Sequence, residues 1–159
     1  MPYSVRAFCI ATKQPDLTHM LHWLEGRDVR LMVDGAARPA CGRDWQRVAL
    51  LYQTGRLPIV AGCQCNDGPD SSAGELLARF IEEVGPAGNS RVKRRVVDHL
   101  NKTRFVVALE LPTADMTEAG WDANGQILTY LVDYCGALIH AEGEGFYEGD
   151  TLILPMETA

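Results

Sequence analysis

Three side chains in the last quarter of the chain have the types and the spacing to do chemistry: His140, Glu142 and Glu144. In an extended strand, side chains two apart share a face, and their Cα atoms stand roughly 6–7 Å from each other. An imidazole and two carboxylates held in this way could converge on a divalent ion, or act as acid and base across a substrate. Adjacent unpaired carboxylates also raise the pKa of at least one member, as general acids require. The same alternation describes the wet face of a hairpin, with Glu142 and Glu144 solvated and His140 packed at the rim. Gly143 and Gly145 sit inside this hairpin and not between a strand and a helix, so they do not form a phosphate loop.

Other constellations are weaker. Cys63 and Cys65 are spaced C-x-C and could share a metal, but zinc sites need a second such pair, and the remaining cysteines stand alone. Two small apolar side chains at a strand end account for them better. His19 and His22 lie mostly opposite the apolar stripe of their helix. Arg91, Lys93, Arg94 and Arg95 form a basic cluster without interleaved aromatics, which does not make a nucleic-acid module. The chain has no G-x-S-x-G elbow, no G-x-G-x-x-G and no Walker motif.

Charge is divided unevenly. Residues 105–159 contain 10 of the 21 acids and none of the 15 Lys and Arg, whereas residues 1–104 contain 11 acids and all the basic residues. The first part therefore sums to +4 and the second to −10, for a net −6. An acidic block of this kind needs positive charge from within the chain, from a cation or from a partner. An overall acidic chain argues against nucleic acid. No apolar run reaches the roughly 20 residues of a membrane span. The opening residues lack a basic segment followed by an apolar core, and five cysteines form no even framework, so a reduced, cytoplasmic setting is expected.

The elements that must position these groups follow from periodicity and punctuation. Residues 3–11 predict a strand. Asp16 caps a helix whose Leu17, Met20, Leu21 and Leu24 form one stripe, ended by Gly26. A strand is expected at 29–33 and a loop at 36–42. Asp44 is placed as the cap of a helix carrying Trp45, Val48, Ala49 and Tyr52. Residues 59–65 predict a strand, and 66–70 a turn. Ser72 and Glu75 have capping-box spacing for a helix with Leu76, Leu77, Phe80, Ile81 and Val84. A second helix starts near Ser90.

Residues 105–111 are apolar on both faces and predict a central strand. Asp115 and Glu118 could open a helix carrying Trp121, Leu128, Leu131 and Cys135, with its start weakened by Asn124-Gly125 and its end at Gly136. A hairpin of 137–147 with 151–154 closes the chain around Glu148-Gly149-Asp150. The order is β-α-β-α-β-α-α-β-α-β-β. It implies an α+β fold with a mixed, mainly antiparallel sheet packed with helices, in a duplicated ferredoxin-like arrangement. Residues 1–159 form one domain, with a sub-division near 86–104.

The functional expectation is a small non-catalytic binding or regulatory protein. Its interaction surface is Glu142, Glu144, Glu148 and Asp150, facing a basic protein partner or a second copy of itself as a homodimer. The alternative is a metal-dependent or acid/base hydrolase centred on His140, Glu142 and Glu144. No cofactor is predicted, although a divalent metal is possible, with His140, Glu142 and Glu144 as candidate ligands and Cys63 and Cys65 as weaker ones.

Overall fold

The computed structural model describes residues 3–34 and 45–156. The expected loop at 36–42, Cys41 and the Asp44 cap lie outside the described residues. Among the described residues the protein is a mixed α+β structure with four α-helices on a single eight-stranded, wholly antiparallel sheet, in the order β2-β3-β4-β5-β1-β6-β7-β8. The strands are β1 Tyr3–Cys9, β2 Met32–Val33, β3 Arg47–Leu51, β4 Ile59–Cys65, β5 Phe105–Leu111, β6 Ala137–Ala141, β7 Gly145–Glu148 and β8 Thr151–Pro155. The helices are α1 Leu17–Glu25, α2 Ser72–Val84, α3 Arg91–Lys102 and α4 Glu118–Cys135. None of the described helices is long and apolar enough to cross a membrane.

Side-chain alternation divides the sheet into two cores. Val5, Ala7 and Cys9 of β1 face α1 and α4, together with Leu109 and Leu111 of β5 and Ile139 of β6. Phe8, Val106, Leu138 and Phe146 face the opposite way, against Leu77 and Phe80 of α2 and Val96 and Leu100 of α3. The central β5 is buried on both faces along most of its length, as its continuous apolar run requires. β1 and β4 both pair antiparallel with β5, and β5 and β6 both pair with β1. The path β1-α1-β4-β5-α4-β6 is therefore a single split β-α-β-β-α-β unit with α1 and α4 on one face. The other elements widen the sheet at its edges or, as α2 and α3 do, cover its second face. Among the described residues the sheet carries this unit once, and the duplicated arrangement expected from the sequence is not confirmed.

Local signals work where they are self-contained. Asp16 Oδ1 accepts from the backbone N–H of Thr18 and His19, and Ser90 Oγ accepts from Lys93 N. Gly136 ends α4 in the left-handed conformation, at φ 61°.

Several expectations need correction. The helix expected from Asp44 is β3: Val48 and Leu50 alternate into the core, and the positions 45, 48, 49 and 52 mimic a helical stripe only by coincidence. The strand expected at 29–33 shrinks to two residues. The cap of α2 is Ser71, whose Oγ accepts from Gly74 N, and not Ser72. Helix α4 starts after Thr117 and runs unbroken through Asn124-Gly125. Asp115 is free to serve the turn between β3 and β4, where its carboxylate accepts from Leu57 N at 2.6 Å and pairs with Arg56.

Candidate functional site

His140, Glu142 and Glu144 do not share a face. Strand β6 stops at Ala141, because Gly143 adopts φ 77° and Glu144 N returns to the Ala141 carbonyl at 3.0 Å in a tight turn. Strand alternation ends with the strand, so the three side chains part. His140 points toward α2. Glu142 stays exposed on the turn, tied to β1 by its backbone N–H to the Ser4 carbonyl and by Ser4 N to its carboxylate at 3.1 Å. Glu144 reaches the α4 side, where Tyr147 Oη donates to Oε1 at 2.6 Å and Tyr3 Oη donates to Oε2.

Glu144 thereby becomes part of a pocket of about 420 Å³ at the corner between α4 and β7. Its carboxylates come from Asp133, Glu144 and Asp150, and its aromatic rings from Tyr3, Trp121 and Tyr147. None of the lining residues is Lys, Arg or His. Tyr3 and Trp121 meet edge to face with ring centroids 6.4 Å apart. The hydroxyls of Tyr147 and Tyr3 hold Glu144 below its ordinary pKa. Burial, followed by the hydrogen bond to Glu144, raises the Tyr3 phenol, and the same carboxylate raises Tyr147. All three groups thus keep one protonation state through the neutral range, a fixed negative charge clamped by two neutral phenols.

Two glycines shape this corner. Gly149 makes the turn from β7 to β8 at φ 59°. Gly125 lies within α4, and a Cβ there would meet nothing within 4 Å. A glycine in a helix interior costs roughly 1 kcal/mol relative to alanine. No packing contact requires it, and its missing side chain leaves the pocket wall open.

Of the four acids expected to form an interaction surface, all are exposed, but only Glu144 and Asp150 line the pocket. Glu142 stands on the neighbouring turn. Glu148 pairs with Arg95 of α3, so part of the acidic block's positive charge does come from the basic segment. Both partners of that pair are 58% exposed, where an ion pair contributes little. Tyr3, Trp121, Asp133 and Tyr147 are not among the site residues expected from the sequence, where Trp121 is placed on an apolar helix stripe. Only Tyr147, three residues from Glu144, lay within reach of a local signal.

His140 occupies a different environment. It is 2% exposed, and its ring meets Phe80 at 4.6 Å and Phe146 at 4.9 Å, both edge to face. Neither ring nitrogen has a hydrogen-bond partner. Burial, reinforced by the charge of Arg6, pushes its pKa down to about 4, so the ring is neutral at pH 7. His99 differs: its Nε2 donates to the Phe8 carbonyl at 2.7 Å, which fixes its tautomer.

Cys63 is buried, and burial together with Cys65 pushes its thiol up to about 12. Cys65 is exposed, also raised by burial, and donates to Gln14 Oε1 at 3.2 Å. Such thiols are held protonated, whereas metal ligation and nucleophilic attack need the thiolate. Among the described residues, no group of three or more His, Cys, Asp or Glu side chains stands close enough to hold a metal ion. Comparison of the chain with protein-family models, with curated proteins and with solved structures gave no match.

Proposed function

We propose that the chain is a non-catalytic binding protein that receives a positively charged segment of a protein partner at the acidic corner between α4 and β7. The observation that carries this is the pocket lining: three carboxylates and three aromatic rings, with no basic residue among them. An ammonium or guanidinium group there gains Coulomb attraction from Asp133, Glu144 and Asp150. It also gains roughly 0.5–1 kcal/mol from each aromatic face it covers at an exposed site. Exposed ion pairs add up to about 1 kcal/mol each, so affinity is modest for one residue and grows with several basic residues in a row.

Titration of the protein with a lysine- and arginine-rich peptide, followed by amide NMR shifts, tests this. Shifts at Tyr3, Gly125, Glu144 and Asp150 that weaken with added salt support it. Asp150→Lys should reduce affinity about tenfold, mainly at low ionic strength. Peptide binding indifferent both to this charge reversal and to salt would sink the proposal. Sedimentation of the free protein tests whether a second copy can be the partner. A hydrolase built on His140, Glu142 and Glu144 has no observation in its favour, since His140 and Glu144 face opposite sides of the sheet.

A further inference from the structure

The α2/α3 side of the sheet holds a second, larger cavity. Helices α2 and α3 pack on Phe8, Val106, Leu138 and Phe146 of β1, β5, β6 and β7, and between the start of α2 and the β3–β4 side of the sheet a cleft of about 1130 Å³ remains. Its floor is one cross-strand row. Arg47 of β3 stands opposite Gly62 of β4, Gly62 opposite Ala108 of β5, and Ala108 opposite Arg6 of β1. The row continues through His140 and Phe146, where α2 closes over it. Strands lie about 4.8 Å apart, so Arg47 and Arg6 are separated by about 14 Å across a floor of two small residues. The first turns of α2 form the wall, with Ser71, Ser72 and Glu75, and Arg79 leans in beside Arg6.

Two independent observations mark this cleft as a site. The first is Gly62. It sits inside β4, where glycine weakens a strand and commonly marks a close approach by another group. Its φ is not in the left-handed region, and a Cβ there would meet only the Gln46 carbonyl oxygen, at an ordinary 3.7 Å. The contrast is Gly74 of α2, where a Cβ would lie 2.0 Å from the Gly68 carbonyl oxygen, so the protein's own packing demands that glycine. Nothing in the protein demands Gly62, and its absent side chain opens the floor.

The second observation is a pair of guanidinium groups, Arg6 and Arg79, neither of which forms a salt bridge among the described residues. The Arg6 and Arg79 guanidiniums lie 5.5 and 5.8 Å from the Phe80 ring centroid. Burial and then the charge of Arg79 lower the Arg6 pKa, while Glu142, Glu83 and Glu110 act on it favourably but more weakly. The cleft also contains the carboxylates of Asp67, Glu75 and Glu110, yet none forms a salt bridge with Arg6, Arg47 or Arg79. Two like charges side by side, Arg6 half-buried and Arg79 exposed, neither in a salt bridge, favour an anion between them. The N-terminus of the 13-residue α2 helix adds a positive dipole end to the same wall.

We propose that this cleft binds a small organic anion, its carboxylate or phosphate group between Arg6 and Arg79 and its body lying over Gly62 and Ala108. Gln46 and Gln64 border the cleft with amide donors and acceptors for a polar body. This site is separate from the acidic corner, which lies on the other side of the sheet.

Amide NMR titration with inorganic phosphate, pyrophosphate and succinate, each to about 10 mM (a level that detects dissociation constants in the millimolar range), tests the idea and separates the two anion chemistries. Saturable shifts at Gly62, Ala108 and Ser72 are expected with at least one probe. Arg79→Gln, at an exposed position, should lower affinity about tenfold, as loss of one charge-assisted contact does. Gly62→Val should leave thermal stability unchanged or higher, yet abolish the shifts, because its side chain fills the floor. No cleft shifts with any probe would overturn the proposal. So would shifts confined to the arginines of α3, or a Gly62→Val variant that folds and still binds.

Discussion

His140→Leu is the most informative single change, because it separates a buried catalytic-looking side chain from its structural consequence. The wild-type ring is 2% exposed, has no hydrogen bond to either nitrogen and has a pKa of about 4. In the unfolded chain the imidazole titrates near 6.5. Folding lowers the pKa, so as pH falls below 6.5 the unfolded chain takes up the proton first. Stability is then lost progressively until pH reaches about 4, where the loss levels off. At about 1.4 kcal/mol per pH unit, the interval is worth about 3 kcal/mol.

Leucine is close to histidine in size, fits a strand and carries no polar atom to bury. It removes two unsatisfied nitrogens, each costing about 1–3 kcal/mol, and forfeits edge contacts with Phe80 and Phe146 worth about 0.5–1.5 kcal/mol each. At pH 7 the variant should therefore match or exceed the wild type. At pH 4 its advantage should be about 3 kcal/mol larger. Urea unfolding of both proteins from pH 7 to pH 4 measures this, and the difference between them cancels the carboxylates common to both. A difference that stays constant over this range would refute the assignment. So would a variant weaker than wild type by more than about 2 kcal/mol at pH 7, since the ring would then have partners worth keeping.

Two further changes test the backbone. Gly125→Ala should stabilise the protein by about 0.5–1 kcal/mol, because the helix gains propensity and the added Cβ meets nothing within 4 Å. Thermal denaturation reads this as a rise of a few degrees, and a fall would mean that the residue's environment is not open. Gly145→Ala should cost more than about 2 kcal/mol, since φ is 133° and the Cβ would lie 2.2 Å from the Leu154 carbonyl oxygen. The strain falls where β7 meets β8, so limited proteolysis should release the 151–156 segment first, and wild-type resistance would contradict this account.

What the sequence determined by itself was whatever a few consecutive residues encode. The Asp16 cap, the helix start near Ser90, the Gly136 stop, the doubly apolar 105–111 strand and the mixed α+β class follow from local hydrogen-bonding and periodicity. The acidic block after residue 104 was equally plain, being a matter of composition. Short segments failed where two periods fit the same residues. Val48 suits a helix from Trp45 to Tyr52 and also suits a strand, and pairing with β4 decided for the strand.

Tertiary structure alone decided what the candidate residues do. Strand alternation put His140, Glu142 and Glu144 on one face only for as long as the strand lasted, and the turn at Gly143 ended it. Tyr3 and Glu144 are 141 positions apart, and only the β1–β6 pairing brings the phenol to the carboxylate. Arg47, Gly62, Ala108 and Arg6 form a cleft floor only because β3, β4, β5 and β1 lie side by side in that order. Such meetings depend on register across the sheet, a cooperative property of the whole core that no local pattern carries.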